Sequence, residues 1–118
     1  MSFDLGVWQS NEALTAAEAS RIYGSFCHSE IPARVVQDSP AVEAFYADLI
    51  GKWPETGNRD LSPWAGPLHH SGSCVLMSCF WPKAESVYPF VAELAARHGL
   101  VLFDPQSEEV YSPESTEE

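Results

Sequence analysis

The run Cys74-Val75-Leu76-Met77-Ser78-Cys79-Phe80-Trp81 narrows the fold more than any other segment. Successive side chains of a strand point to opposite faces. Val75, Met77, Cys79 and Trp81 then share one face, and Cys74, Leu76, Ser78 and Phe80 the other. Both sets are largely apolar, so this strand is expected to be central and covered on both sides. Pro82 ends it. Leu68-His69-His70 precedes it across Ser71-Gly72, which reads as a tight hairpin turn. A two-residue turn there would set His69 opposite Cys74.

The remaining elements follow from periodicity and caps. Phe3, Leu5 and Val7 alternate, with Trp8 after them, giving a half-buried strand. Thr15-Ala16-Ala17-Glu18 has the form of a capping box, and Ala19, Ile22, Tyr23, Phe26 and Cys27 behind it lie on one helical face. Residues 28–38, with Pro32 among them, read as irregular. Ser39-Pro40 starts a second helix with the stripe Val42, Phe45, Tyr46, Leu49, Ile50 and Trp53, and Pro54 stops it. Residues 55–67 hold Gly57, Pro63, Gly66 and Pro67 and form a loop of about 13 residues, long for a compact domain. Ala84, Val87, Val91, Leu94, Ala95 and His98 define a third helix, stopped by Gly99. Pro89 fits best if regular helix begins near Ser86, which leaves the proline in the first turn. Leu100 to Phe103 is a short strand, and Val110-Tyr111 returns as an edge strand.

This order predicts an α+β domain over residues 1–111, followed by an acidic, frayed tail at 112–118. The sheet should be ferredoxin-like (split βαβ) and mostly antiparallel, with helices on one face and an extra helix in the first crossover. The second face of the central strand then needs a cover, from loop 55–67 or from a partner subunit.

A chain of 118 residues fits one domain, and 45% hydrophobic and 12% aromatic content is enough to build a core. No apolar run approaches the length of a membrane helix, about 20 residues. The opening Met-Ser-Phe-Asp-Leu has no basic residue and no apolar h-region. Three cysteines without a secretory leader point to a reducing compartment, so a cytoplasmic location is expected. Seventeen acids against six bases give a formal charge of -11. Such a field repels nucleic acid and anionic membrane and favours a basic protein partner. The same acidity also serves solubility.

Motifs that carry chemistry are absent. His69-His70 lie near Cys74 and Cys79, but strand parity sends the two cysteines to opposite faces, and a structural zinc needs four ligands. No metal or other cofactor is expected. Cys27 and His28 are neighbours in sequence, and neighbours on a helix do not face each other. Ser71-Gly72-Ser73 lacks the strand–loop–helix context of a phosphate site. Glu108-Glu109 and Glu117-Glu118 read as solvated charge, and no catalytic residue is assigned. The expected partner surface is acidic and combines Glu55, Asp60, Glu108 and Glu109 with Trp64, a loop tryptophan of the kind that anchors interfaces. The competing expectation for Trp64, favoured by its size, is that it folds back to cap the sheet.

The opening Met-Ser-Phe-Asp-Leu-Gly-Val-Trp, the loop Ser62-Pro63-Trp64 and the closing His98-Gly99-Leu100-Val101-Leu102-Phe103-Asp104-Pro105-Gln106 resemble a family of small acidic, largely uncharacterised bacterial proteins. The resemblance spans residues 1 to about 111. It implies a link to immunity-type proteins encoded beside secreted toxins. It brings no catalytic residues, and His69-His70 and Cys74 stand outside its pattern. The expected function is therefore a non-catalytic protein-binding module, an immunity-type inhibitor of a basic partner such as a toxin enzyme. Two alternatives stand beside it. One is a structural or regulatory subunit that forms a homodimer or larger homo-oligomer through an apolar sheet face. The other is a small-ligand-binding or enzymatic ferredoxin-like domain.

Overall fold

A computed structural model describes residues 2–10, 14–27, 39–54, 63–66 and 68–111. The chain runs β1 (Ser2–Trp8), α1 (Ala16–Cys27), α2 (Pro40–Lys52), β2 (His69–His70), β3 (Cys74–Phe80), α3 (Ala84–Arg97), β4 (Val101–Asp104) and β5 (Glu109–Tyr111). The strands form one sheet in the order β2-β3-β1-β4-β5, and every pairing is antiparallel. The first four of these strands have the ferredoxin-like order, and β5 is added at the β4 edge. β3 is an inner strand, flanked by β2 and β1. The tail at 112–118 lies outside the described residues, as do the side chains of Phe26 and Cys27.

The strand alternation separates two cores. Leu5, Val7, Val75, Met77, Cys79 and Leu102 pack beneath α2 and α3 with Val42, Phe45, Leu49, Val87, Val91 and Leu94. Trp8, Cys74, Val101 and Phe103 point the other way and pack against Ala19 and Ile22 of α1. This corrects the expectation that all helices share one face. The extra helix of the first crossover crosses beneath the sheet, and it supplies cover that had been assigned to loop 55–67 or to a partner subunit. The local reason lies in β1. At Gly6 no Cβ is present, and the Tyr23 ring of α1 settles there and against Phe103, with ring centroids 5.5 Å apart.

Two further expectations shift. The hairpin register pairs His70 with Val75 and His69 with Leu76, and Ser71 N–H donates to the Cys74 carbonyl at 3.0 Å. The turn is therefore centred on Gly72-Ser73, and His69 lies opposite Leu76 rather than Cys74. Ser71 Oγ accepts from Ser73 N–H at 3.3 Å, which favours this turn over the one centred a residue earlier. In α3 the helix begins at Ala84, after a 3-10 turn at Trp81–Lys83, so Pro89 sits past the first turn. Both Pro89 and Glu85, whose carbonyl the proline cannot serve, are exposed, and water can take the missing donor's place.

Candidate interaction surface

The expected surface residues separate once they are placed. Glu55 and Asp60 lie outside the described residues. Trp64 is only 4% exposed. Its backbone bridges to Cys79 of β3, and the neighbouring Ala65 N–H donates to the Ser78 carbonyl at 2.8 Å. The Trp64 indole donates to the Trp53 carbonyl at 2.8 Å, and the two rings meet edge to face at 6.0 Å. Trp64 as an exposed anchor is thus corrected. An indole this large gains more by filling the sheet edge beside β2 than by standing in water.

Glu108 and Glu109 are exposed, at the turn from β4 into β5. Glu108 has a positive φ of 57°, an uncommon conformation for a residue with a Cβ. Glu109 accepts from the Tyr111 hydroxyl at 2.6 Å. That bond comes first in holding the Tyr111 phenol well above its usual pKa range, and the Tyr88 hydroxyl adds to it. The turn is braced by Gln106, whose amide nitrogen donates to Asp104 Oδ1 at 2.6 Å and to the Asp4 carbonyl at 2.7 Å. Its amide oxygen accepts from Asp4 N–H at 2.7 Å. A side-chain amide thereby continues the β1–β4 ladder beyond the end of β4.

Beside these carboxylates lies a feature that the sequence reading did not single out. Trp81 and Phe3 meet at 5.3 Å, Phe3 and Tyr88 at 6.1 Å, and Tyr88 and Tyr111 at 6.5 Å, forming a row of four rings. The outer two, Trp81 at 46% and Tyr111 at 40%, are the exposed large hydrophobic residues of the described chain. They come from a 3-10 turn and an edge strand, Phe3 from β1 and Tyr88 from α3. The strand order brings the end of β3 and the start of β1 to one end of the sheet. Trp81 had been assigned to the β3 face through alternation, and Pro82 turns the chain before that alternation continues. Glu85, one helical turn before Tyr88, is exposed, as are Glu108 and Glu109.

Other polar groups are engaged in holding the fold. His98 Nε2 lies 2.9 Å from Asp48 Oδ2 and ties the end of α3 to α2. His70 stacks flat on Tyr46 at 3.8 Å, and its Nε2 is 3.2 Å from Glu43 Oε1. Cys74 and Cys79 are buried on opposite faces, as parity requires. The Cys79 thiol is pushed up to about 11, first by burial and then by the Asp4 carboxylate. A thiol in that state is a poor nucleophile at neutral pH. Among the described residues, no three His, Cys, Asp or Glu side chains converge where they could hold a metal ion. No described helix is long and apolar enough to cross a membrane.

Fold and surface together define a class: a ferredoxin-like α+β domain with one helix beneath the sheet, a fifth strand, and an aromatic row edged by carboxylates. Beyond that class no relative is found, since no family model matches the chain and neither curated proteins nor solved structures give a match.

Proposed function

We propose that this protein is a non-catalytic binding module that docks a basic protein, in the manner of an immunity protein that occludes a toxin enzyme. The observation that carries this reading is the charge of -11, from 17 acids against 6 bases. A field of that sign accelerates encounter with a basic partner and disfavours polyanions. Self-association through an apolar sheet face is less well supported. On the face beneath α1, Trp8, Cys74, Val101 and Phe103 are each no more than 1% exposed, because the helix already covers them.

The test is affinity capture from the native lysate at low and high salt, with the charge of the captured protein determined. A basic partner is expected, and its association rate should fall steeply as the Debye length shrinks from about 30 to 8 Å. An acidic partner, or binding indifferent to salt, would overturn the reading.

A further inference from the structure

Among the described residues two aromatic clusters lie along α3, and they differ in charge. In the first, Trp53 packs edge to face on Phe90 at 5.0 Å and on Trp64 at 6.0 Å. Lys52 covers it, its Nζ 5.3 Å from the Trp53 ring and 5.4 Å from the Phe90 ring. That cluster supplies its own cation. The second is the row Trp81, Phe3, Tyr88 and Tyr111. Among the described residues no cation sits on any ring of this row; Lys83, the base at that end, is exposed and stacks on none of them. Two exposed carboxylates adjoin it: Glu109 accepts from the Tyr111 hydroxyl at 2.6 Å, and Glu85 lies one helical turn before Tyr88.

The faces of Trp and Tyr rings attract cations, and the attraction grows as water is excluded. Carboxylates at the rim add to it and orient a guanidinium. A carboxylate brought by a partner would be repelled there by Glu85 and Glu109. The row is also longer than one side chain can cover, so it suits an extended segment bearing several cations.

We propose that the row Trp81–Phe3–Tyr88–Tyr111, edged by Glu85 and Glu109, is the docking surface for an arginine-bearing segment of a basic protein. This inference rests on the binding-module reading above and gives it a location.

The test uses the full chain, labelled with nitrogen-15 and titrated at low salt with an alternating Arg-Gly peptide, a Lys-Gly peptide and a Glu-Gly peptide. Amide shifts should concentrate at Trp81, Glu85, Tyr88, Glu109 and Tyr111. Affinity should fall in the order Arg, Lys, Glu, because guanidinium groups stack on rings and pair with carboxylates. The pair Trp81→Ala and Tyr111→Ala should weaken Arg-Gly binding by about tenfold or more. Trp81→Phe with Tyr111→Phe keeps the rings and should retain most of the affinity, which separates loss of the surface from loss of the fold. Glu85→Gln with Glu109→Gln should weaken binding, whereas Glu43→Gln with Glu93→Gln, which removes equal charge elsewhere, should leave it within about twofold.

If Arg-Gly binds but its shifts map elsewhere, or the alanine pair binds as well as the parent, the surface is wrong and the basic-partner reading stands. If no basic peptide binds at low salt, the surface inference fails, and the basic-partner reading fails with it only if the protein captured from the lysate is acidic or its binding is indifferent to salt.

Discussion

Gly6 decides how closely α1 approaches the sheet. A Cβ built there would fall 2.9 Å from Tyr23 Cδ1 and 3.2 Å from Trp8 Cζ3. Trp8 is fully buried, and Tyr23 is held against Phe103, so neither ring has an easy retreat. Replacing a strand glycine by alanine ordinarily stabilises by under about 1 kcal/mol through the unfolded chain. Overpacking costs about 1–3 kcal/mol, so Gly6→Ala should lower stability, read as a lower urea midpoint. A neutral result would mean the Tyr23 ring swings aside freely. Cys79 sets a second expectation at this scale. Its thiol ionises near 9.0 when unfolded and at about 11 when folded. Above pH 9 the unfolded state therefore holds fewer protons than the native state, and stability falls as pH rises. This contribution is intact below pH 9 and lost by about 11, at most on the order of 3 kcal/mol. The variant Cys79→Ala should flatten the fall between those limits; an unchanged slope from urea melts across that range would rule the account out.

The start of α2 joins three parts of the molecule. Ser39 Oγ accepts from Ala41 N–H at 3.1 Å and donates to Gln9 Oε1 at 3.1 Å, while Ser39 N–H donates to the Gly72 carbonyl at 3.0 Å. Ser39→Ala removes the cap and the link to Gln9 but keeps the backbone bond. It should cost about 1–2 kcal/mol, measurable as a lower chemical-denaturation midpoint with unchanged slope. A loss below about 0.3 kcal/mol would mean water caps the helix equally well. This cap and the box at Thr15, where Glu18 Oε1 accepts from Thr15 N–H at 2.9 Å and Thr15 Oγ1 from Glu18 N–H at 3.2 Å, were legible because both are short-range. Strand parity was legible for the same reason. The side of the sheet taken by α1 was not. Its stripe through Ala19 and Ile22 requires burial but does not name the face. That choice depends on Gly6 and Trp8 in β1 and on Cys74, Val101 and Phe103, which lie far away in sequence. The start of α3 was missed because the rule that a proline belongs in the first turn gives way when the orphaned carbonyl faces water.

At the scale of the whole molecule, 17 acids and 6 bases make the chain repel itself. Compacting such a chain raises its electrostatic energy, and salt screens it. The melting temperature should therefore rise by a few degrees, about 2–6 °C, between low and moderate sodium chloride at neutral pH. Circular dichroism melts would check this, and a fall in melting temperature would mean that attractive pairs outweigh the repulsion. The sign of the surface was readable from composition alone. Its location was not, since Phe3, Trp81, Tyr88 and Tyr111 are scattered through the sequence and meet only when the strand order is known. Trp64 was the more visible tryptophan because a long loop drew attention to it, yet it closes the sheet edge.

The central position of β1 has a kinetic consequence. The first strand of the chain lies between β3 and β4, where Trp8 pairs with Cys74 on one side and Val101 on the other. A ribosome releases β1 before β3 and β4, and neither of its ladders can close until those partners have emerged. Both central pairings then require a large loop-closure entropy before they return any contact energy, which makes this fold slower than a helical bundle of its size. Until that moment the apolar alternation of Phe3, Leu5 and Val7 is an unpaired edge, and it is during synthesis that this chain is most exposed to aggregation.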